Sequence, residues 1–273
     1  MLLLSAPFDP GARAPSRRPA RAYAQVVGAV ALLVAAGLGW EWAGASPVLG
    51  HALASGAVHG GLLALGWLLA TDAAAGWSGP VVRLGAMQLL VSIIARLQPL
   101  GALTFLVVPG VLLLEGRQQP RLRAIGLGGA RPAHALAGLA AGALLGAHLL
   151  VTASRTFGYR PQAGDLVGYL AALAYDVGAN TLSAEWLFRG AMFSLLWRRW
   201  AFWPAALLTT ALALLRYLLD PALPHAAEAR AGAVFYLSLL GLIGCALRAW
   251  SGSLLPGYLA ALAFFAAYRM FAS

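Results

Sequence analysis

The residues with the means to do chemistry lie between Asn180 and Trp200, where the run Asn-Thr-Leu-Ser-Ala-Glu-Trp-Leu-Phe-Arg-Gly-Ala-Met-Phe-Ser-Leu-Leu-Trp-Arg-Arg-Trp carries Glu185 and Arg189 in apolar company. A carboxylate and a guanidinium four residues apart share one face of a helix and can pair within it. Neither belongs in hydrocarbon. An ionised side chain near a bilayer centre costs about 2.5–3.5 kcal/mol on insertion scales, so such residues face protein, pair, and often mark function. A carboxylate can also take a proton from water, which gives Glu185 the type of a general base. The plainer reading is an ion pair that fixes helix register. Asp176 lies nine residues before Glu185. That spacing puts it about opposite Glu185 on a continuous helix, so a two-carboxylate site requires the helix to break between them.

The elements that must position these groups are membrane helices. The chain has 273 residues, 61% hydrophobic and 10% charged, with a mean hydropathy of +0.77. These values lie outside the range of soluble domains and point to an all-α, polytopic bundle in a cell membrane, in direct contact with its lipids. The net charge of +10 comes entirely from arginine, in short clusters between apolar runs. Such clusters read as topology signals; no stretch is long enough to form a basic face on a soluble module, which excludes nucleic acid as a partner. A single cysteine, Cys245, excludes an internal disulfide and multi-cysteine metal sites. No metal and no cofactor is expected.

Eight or nine spans fit, at about 20 apolar residues each: 22–44, 47–70, 81–97, 100–114, 133–154, 163–199, 203–219, 231–248 and 253–271. Gln98-Pro99 divides the third from the fourth, because proline and its predecessor disfavour a continuing helix. The run 163–199 exceeds one span and is either one long helix or two broken near Gly178 to Thr181. His51 and His59 in the second span are read as packing or interhelical hydrogen-bonding residues, since helical metal sites use tighter spacing. The domain reading is a basic segment 1–21, a first bundle 22–116, a basic loop 117–131 and a core 132–273. Arg13, Arg17, Arg18 and Arg21 precede the first span, and with nine spans Arg117, Arg121, Arg123, Arg131, Arg198, Arg199 and Arg248 fall on the same side. The positive-inside rule then places the N-terminus in the cytoplasm.

Three phrases in the second half, from about Ile125 onward, resemble the CPBP (CAAX prenyl protease and bacteriocin-processing, or Abi) family of intramembrane proteases. They are Ile-Gly-Leu-Gly-Gly-Ala-Arg-Pro at 125–132, Ala-Glu-Trp-Leu-Phe-Arg-Gly at 184–190, and Ser-Gly-Ser-Leu-Leu-Pro at 251–256. The second is similar to the family's Glu-Glu-x-x-Phe-Arg-Gly. The resemblance implies a glutamate that activates water, an arginine that supports it, and histidine and asparagine donors on later helices. It maps the first glutamate to Ala184, the first histidine to Arg216, the second histidine to Ala261 and the asparagine to Phe264. Only Glu185 and Arg189 keep the family's types.

Arginine at 216 stays protonated, so it cannot exchange a proton, but it can pair with Glu185. The leading expectation is a charge cluster of Glu185, Arg189 and Arg216, with Asp176 as a further acceptor, in a degenerate relative that binds a membrane peptide, a lipidated substrate or a protein partner. The second reading is an active endopeptidase with Glu185 and Arg189 and a recruited histidine, His225 or His148. The third, a transporter or ion pathway, lacks matched broken helices in two halves.

Overall fold

A computed structural model of the chain describes residues 20–44, 46–71, 79–98, 100–117, 122, 125–161, 165–220 and 226–271. Arg13, Arg17, Arg18, Arg121, Arg123, Pro99 and His225 lie outside the described residues. Among those described the fold is all-α, with no strand. The elements are α1 Ala20–Trp42, α2 Pro47–Ala70, α3 Gly79–Leu97, a 3-10 helix Gly101–Leu106 running into α4 Val107–Arg117, and α5 Pro132–Phe157. A composite helix follows: α6 Leu166–Tyr175, a π segment Asp176–Asn180, α7 Thr181–Ala184, a second π segment Glu185–Met192, and α8 Phe193–Trp197. The chain ends in α9 Phe202–Leu218, α10 Ala227–Ser251 and α11 Leu255–Tyr268. Helices α1, α2, α3, α5 and α10 are long and apolar enough to cross a membrane, and Gly101–Gly116, α9 and α11 are shorter apolar helices.

Local chemistry sets the ends. Pro47 and Pro132 open α2 and α5, where the missing N–H costs nothing. Gly158 and Gly252 close α5 and α10 in the left-handed conformation, at φ 70° and 71°. Asp165 caps α6 by accepting from the backbone N–H groups of Val167 and Gly168, each at 3.2 Å. The run 163–199 does not break near Gly178. Residues 166–197 stay helical and take up π turns instead, at 176–180 and 185–192.

Two compact units form. The described part of one comprises α1 to α4 with 165–187; that of the other comprises 125–161 with 188–271. The stretch 165–187 therefore joins the N-terminal helices, whereas the sequence reading assigned it to a core at 132–273. Long-range bonds to α2, described below, hold it there.

In the first unit α1 and α2 are antiparallel, with Gly37 against Gly50 and Val30 against Gly61. Between them Glu41 pairs with His51 Nδ1 at 2.9 Å. Gly56 and Gly60 of α2 meet α3 at Ser92 and Gly85, the small-residue packing that lets membrane helices approach closely. Arg83 binds both carboxylate oxygens of Glu115, at 2.8 and 3.0 Å, and so ties α3 to α4.

In the second unit Gly138 and Gly142 of α5 rest against the backbone of α11 at Pro256 and Ala260. Tyr236, Leu240, Ala261, Phe264 and Phe265 form one apolar core. Phe193, Phe202, Ala205, Ala206, Cys245 and Ala249 form another, so Cys245 is a buried packing residue.

Candidate functional site

The site is built on the part of the composite helix that lies in the first unit, up to Leu187. A π turn closes i→i+5, advances fewer degrees per residue than an α turn, and is found disproportionately at functional positions. The nine-residue arithmetic that set Asp176 opposite Glu185 assumes a regular α-helix, so it does not apply here. Gly178 is required where it stands: a Cβ would collide with the Phe105 carbonyl. Asn180 Nδ2 donates to Asp176 Oδ1 at 2.9 Å, one turn back. Both residues are buried.

Helix α2 supplies the other side. His59, 2% exposed, uses both ring nitrogens: Nδ1 lies 2.9 Å from Ser183 Oγ and Nε2 lies 2.7 Å from Tyr175 Oη. The Tyr175 ring stands edge-on to the imidazole at 5.4 Å and edge-on to Phe105 at the same distance. Ser183 Oγ has a second, weaker outlet in the Asn180 carbonyl at 3.4 Å. One helical turn further along α2, Trp186 Nε1 donates to the Leu63 carbonyl at 3.0 Å. Its indole lies against Gly66, where a Cβ would collide with the ring at Nε1 and Cδ1. Thr181 Oγ1 is buried with no hydrogen-bond partner among the described residues. Glu185, 5% exposed, completes this run of enclosed polar groups.

The residues expected from sequence fall as follows. Asp176, Ala184 and Glu185 are buried in the first unit, while Arg189 and Arg216 belong to the second. Arg189 is buried, with its guanidinium against Gly241 beside Thr210. Arg216 is half-buried and lies over the Tyr217 ring at 4.4 Å, a cation–π contact. Ala261 and Phe264 sit in the apolar core with Tyr236 and Leu240. His148 Nδ1 meets Tyr236 Oη at 2.9 Å. Among the described residues no three of His, Cys, Asp or Glu come together as metal ligands.

Sequence reasoning did not find Ser183 and Tyr175 as partners of His59. The one available signal was His59 itself, because a polar ring in an uncharged span must bond to something. Arg248 was read as a topology charge, yet it is 2% exposed. Its Nη2 donates to Ser194 Oγ at 3.3 Å, and Gly126, at φ 100°, passes so close that a Cβ would fall 2.7 Å from Nε.

Fold and site together define an α-helical protein with five helices long and apolar enough to cross a membrane and an enclosed histidine–hydroxyl network. No family model, no curated protein and no solved structure matches the chain.

Proposed function

We propose that this is an integral protein of a cell membrane, N-terminus in the cytoplasm, that binds a membrane peptide or a lipidated protein and is a degenerate relative of the CPBP proteases. The observation that carries this reading is the enclosed polar stretch from Tyr175 to Glu185, held to α2 by His59 and by Trp186. Buried polar groups in a lipid-embedded helix are costly and often mark function, and π segments recur at functional sites. The family's hydrolytic set is absent from the matching positions: Ala184, Ala261 and Phe264 are apolar, and Arg216 lies over Tyr217.

The test is photo-crosslinking in lipid nanodiscs with a farnesylated peptide and its unmodified counterpart. Saturable capture, competed by excess unlabelled peptide and weakened by Glu185→Ala, supports binding; capture no better than that of an unrelated helical membrane protein overturns it. Cysteine accessibility from each side of the membrane tests the orientation. The second reading, an active endopeptidase, gains one specific support in the histidine next to Ser183, two residues before Glu185. Peptide cleavage that disappears in Glu185→Ala is its signature.

A further inference from the structure

The Ser183–His59–Tyr175 network has the form of an activated nucleophile: a hydroxyl within hydrogen-bond reach of a base, and the base oriented by a third group. A neutral imidazole carries one proton, so its two nitrogens must play different parts. Ser183 Oγ lies 2.9 Å from His59 Nδ1 and can also donate to the Asn180 carbonyl at 3.4 Å. With Ser183 donating to Nδ1, the ring proton sits on Nε2 and donates to Tyr175 Oη at 2.7 Å. Serine-to-imidazole polarity is the one that general-base activation needs.

We propose that Ser183 is a nucleophile that takes an acyl group from a carboxylic ester carried in the membrane, with His59 as its base and Tyr175 as the positioning residue for the imidazole. The inference rests on the binding reading above for the delivery of substrate. Ser183 Oγ attacks the ester carbonyl carbon while its proton passes to His59 Nδ1. The tetrahedral adduct collapses with cleavage of the acyl–oxygen bond, the departing alcohol takes the proton from Nδ1, and an ester on Ser183 remains. Water then attacks that ester with His59 again as base, releasing the carboxylic acid and restoring the serine hydroxyl. No oxidant, reductant or metal enters the balance. Enclosure of Ser183 at 0% exposure and of His59 at 2% keeps the hydroxyl–imidazole bond out of competition with bulk water.

The experiment uses the full chain in nanodiscs and a long-chain alkyl fluorophosphonate, which enters from the lipid and leaves a stable adduct on an activated serine. Mass spectrometry is expected to place the adduct on Ser183. His59→Gln should slow labelling by at least about a hundredfold, the usual scale of general-base assistance. Tyr175→Phe should slow it less and displace the midpoint of its pH dependence, which a merely structural tyrosine would not do. Ser183→Cys keeps a small polar side chain where Ser183→Ala fails to fold, and should give no fluorophosphonate adduct. Parallel incubations with a diacyl phospholipid and with an acylated peptide distinguish the two sources of ester by the acyl mass left on Ser183. Folded wild-type protein with no adduct at Ser183, or with equal labelling in His59→Gln, overturns the proposal. Peptide capture that persists under that result leaves the binding reading standing, and an adduct without capture removes the binding reading alone.

Discussion

At the scale of single residues, one imidazole joins two segments that are far apart in the chain. His59→Leu removes two side-chain bonds and leaves the buried Ser183 hydroxyl only its weak bond to the Asn180 carbonyl. The expected loss is about 1–3 kcal/mol of unfolding free energy, read by denaturant titration in mixed micelles. Trp186→Phe drops the bond to Leu63 and replaces a buried indole with a smaller ring, and should cost a similar amount. On the periphery, Tyr159 Oη donates to Glu228 at 3.3 Å, and that carboxylate holds the phenol above its ordinary pKa of 10.0. A raised pKa in the folded state means that the contribution is complete below 10.0 and is lost as the pH rises through the folded value. Glu228→Gln should therefore bring the tyrosine absorbance titration back toward the ordinary value.

At the scale of elements, close approach of helices without large side chains is the recurring device. Gly142→Val puts a branched side chain where α5 already touches the Ala260 carbonyl of α11, and Gly178→Ala does the same against the Phe105 carbonyl. Both should sharply reduce the yield of monodisperse protein on size-exclusion chromatography, because overpacking a rigid contact forces backbone shifts of about 1–3 kcal/mol or more. Gly28→Ala and Gly39→Ala on α1 meet nothing within 4 Å and should be tolerated or mildly stabilising, since alanine is the better helix former. The composite helix from α6 to α8 obeys a different rule. Its two π segments cover Asp176 and Glu185, and regular α-geometry there would change which polar groups face α2.

At the scale of the whole molecule, five membrane-length helices predict that the chain stays with the bilayer through alkaline carbonate washing and leaves it only in detergent. Cys245 is fully buried, so a maleimide should not react until the protein is unfolded in SDS. Prompt labelling of the folded protein would contradict the core of Phe193, Phe202 and Ala249 in which the thiol sits. The two compact units cut across sequence order, with 165–187 grouped beside α1 to α4 and 188–271 beside α5. Glu185 and Arg189, four residues apart and the first feature legible in the chain, thus belong to different units.

The sequence by itself determined the helical class, the apolar runs, and most helix boundaries: Pro47 and Pro132 mark starts, and Gly158 and Gly252 mark ends. It also determined that the stretch around Glu185 is chemically exceptional, because a carboxylate in an apolar run stands out whatever the fold. Only the tertiary structure decided that His59 reaches Ser183 across 124 positions, that Arg248 is buried on Ser194, and that Ala261 and Phe264 are core packing. In a soluble helix the apolar stripe announces the inward face. In a membrane helix lipid and protein interior are equally apolar, so the pattern does not say which side of α2 meets which neighbour, and small residues and single polar bonds make that choice.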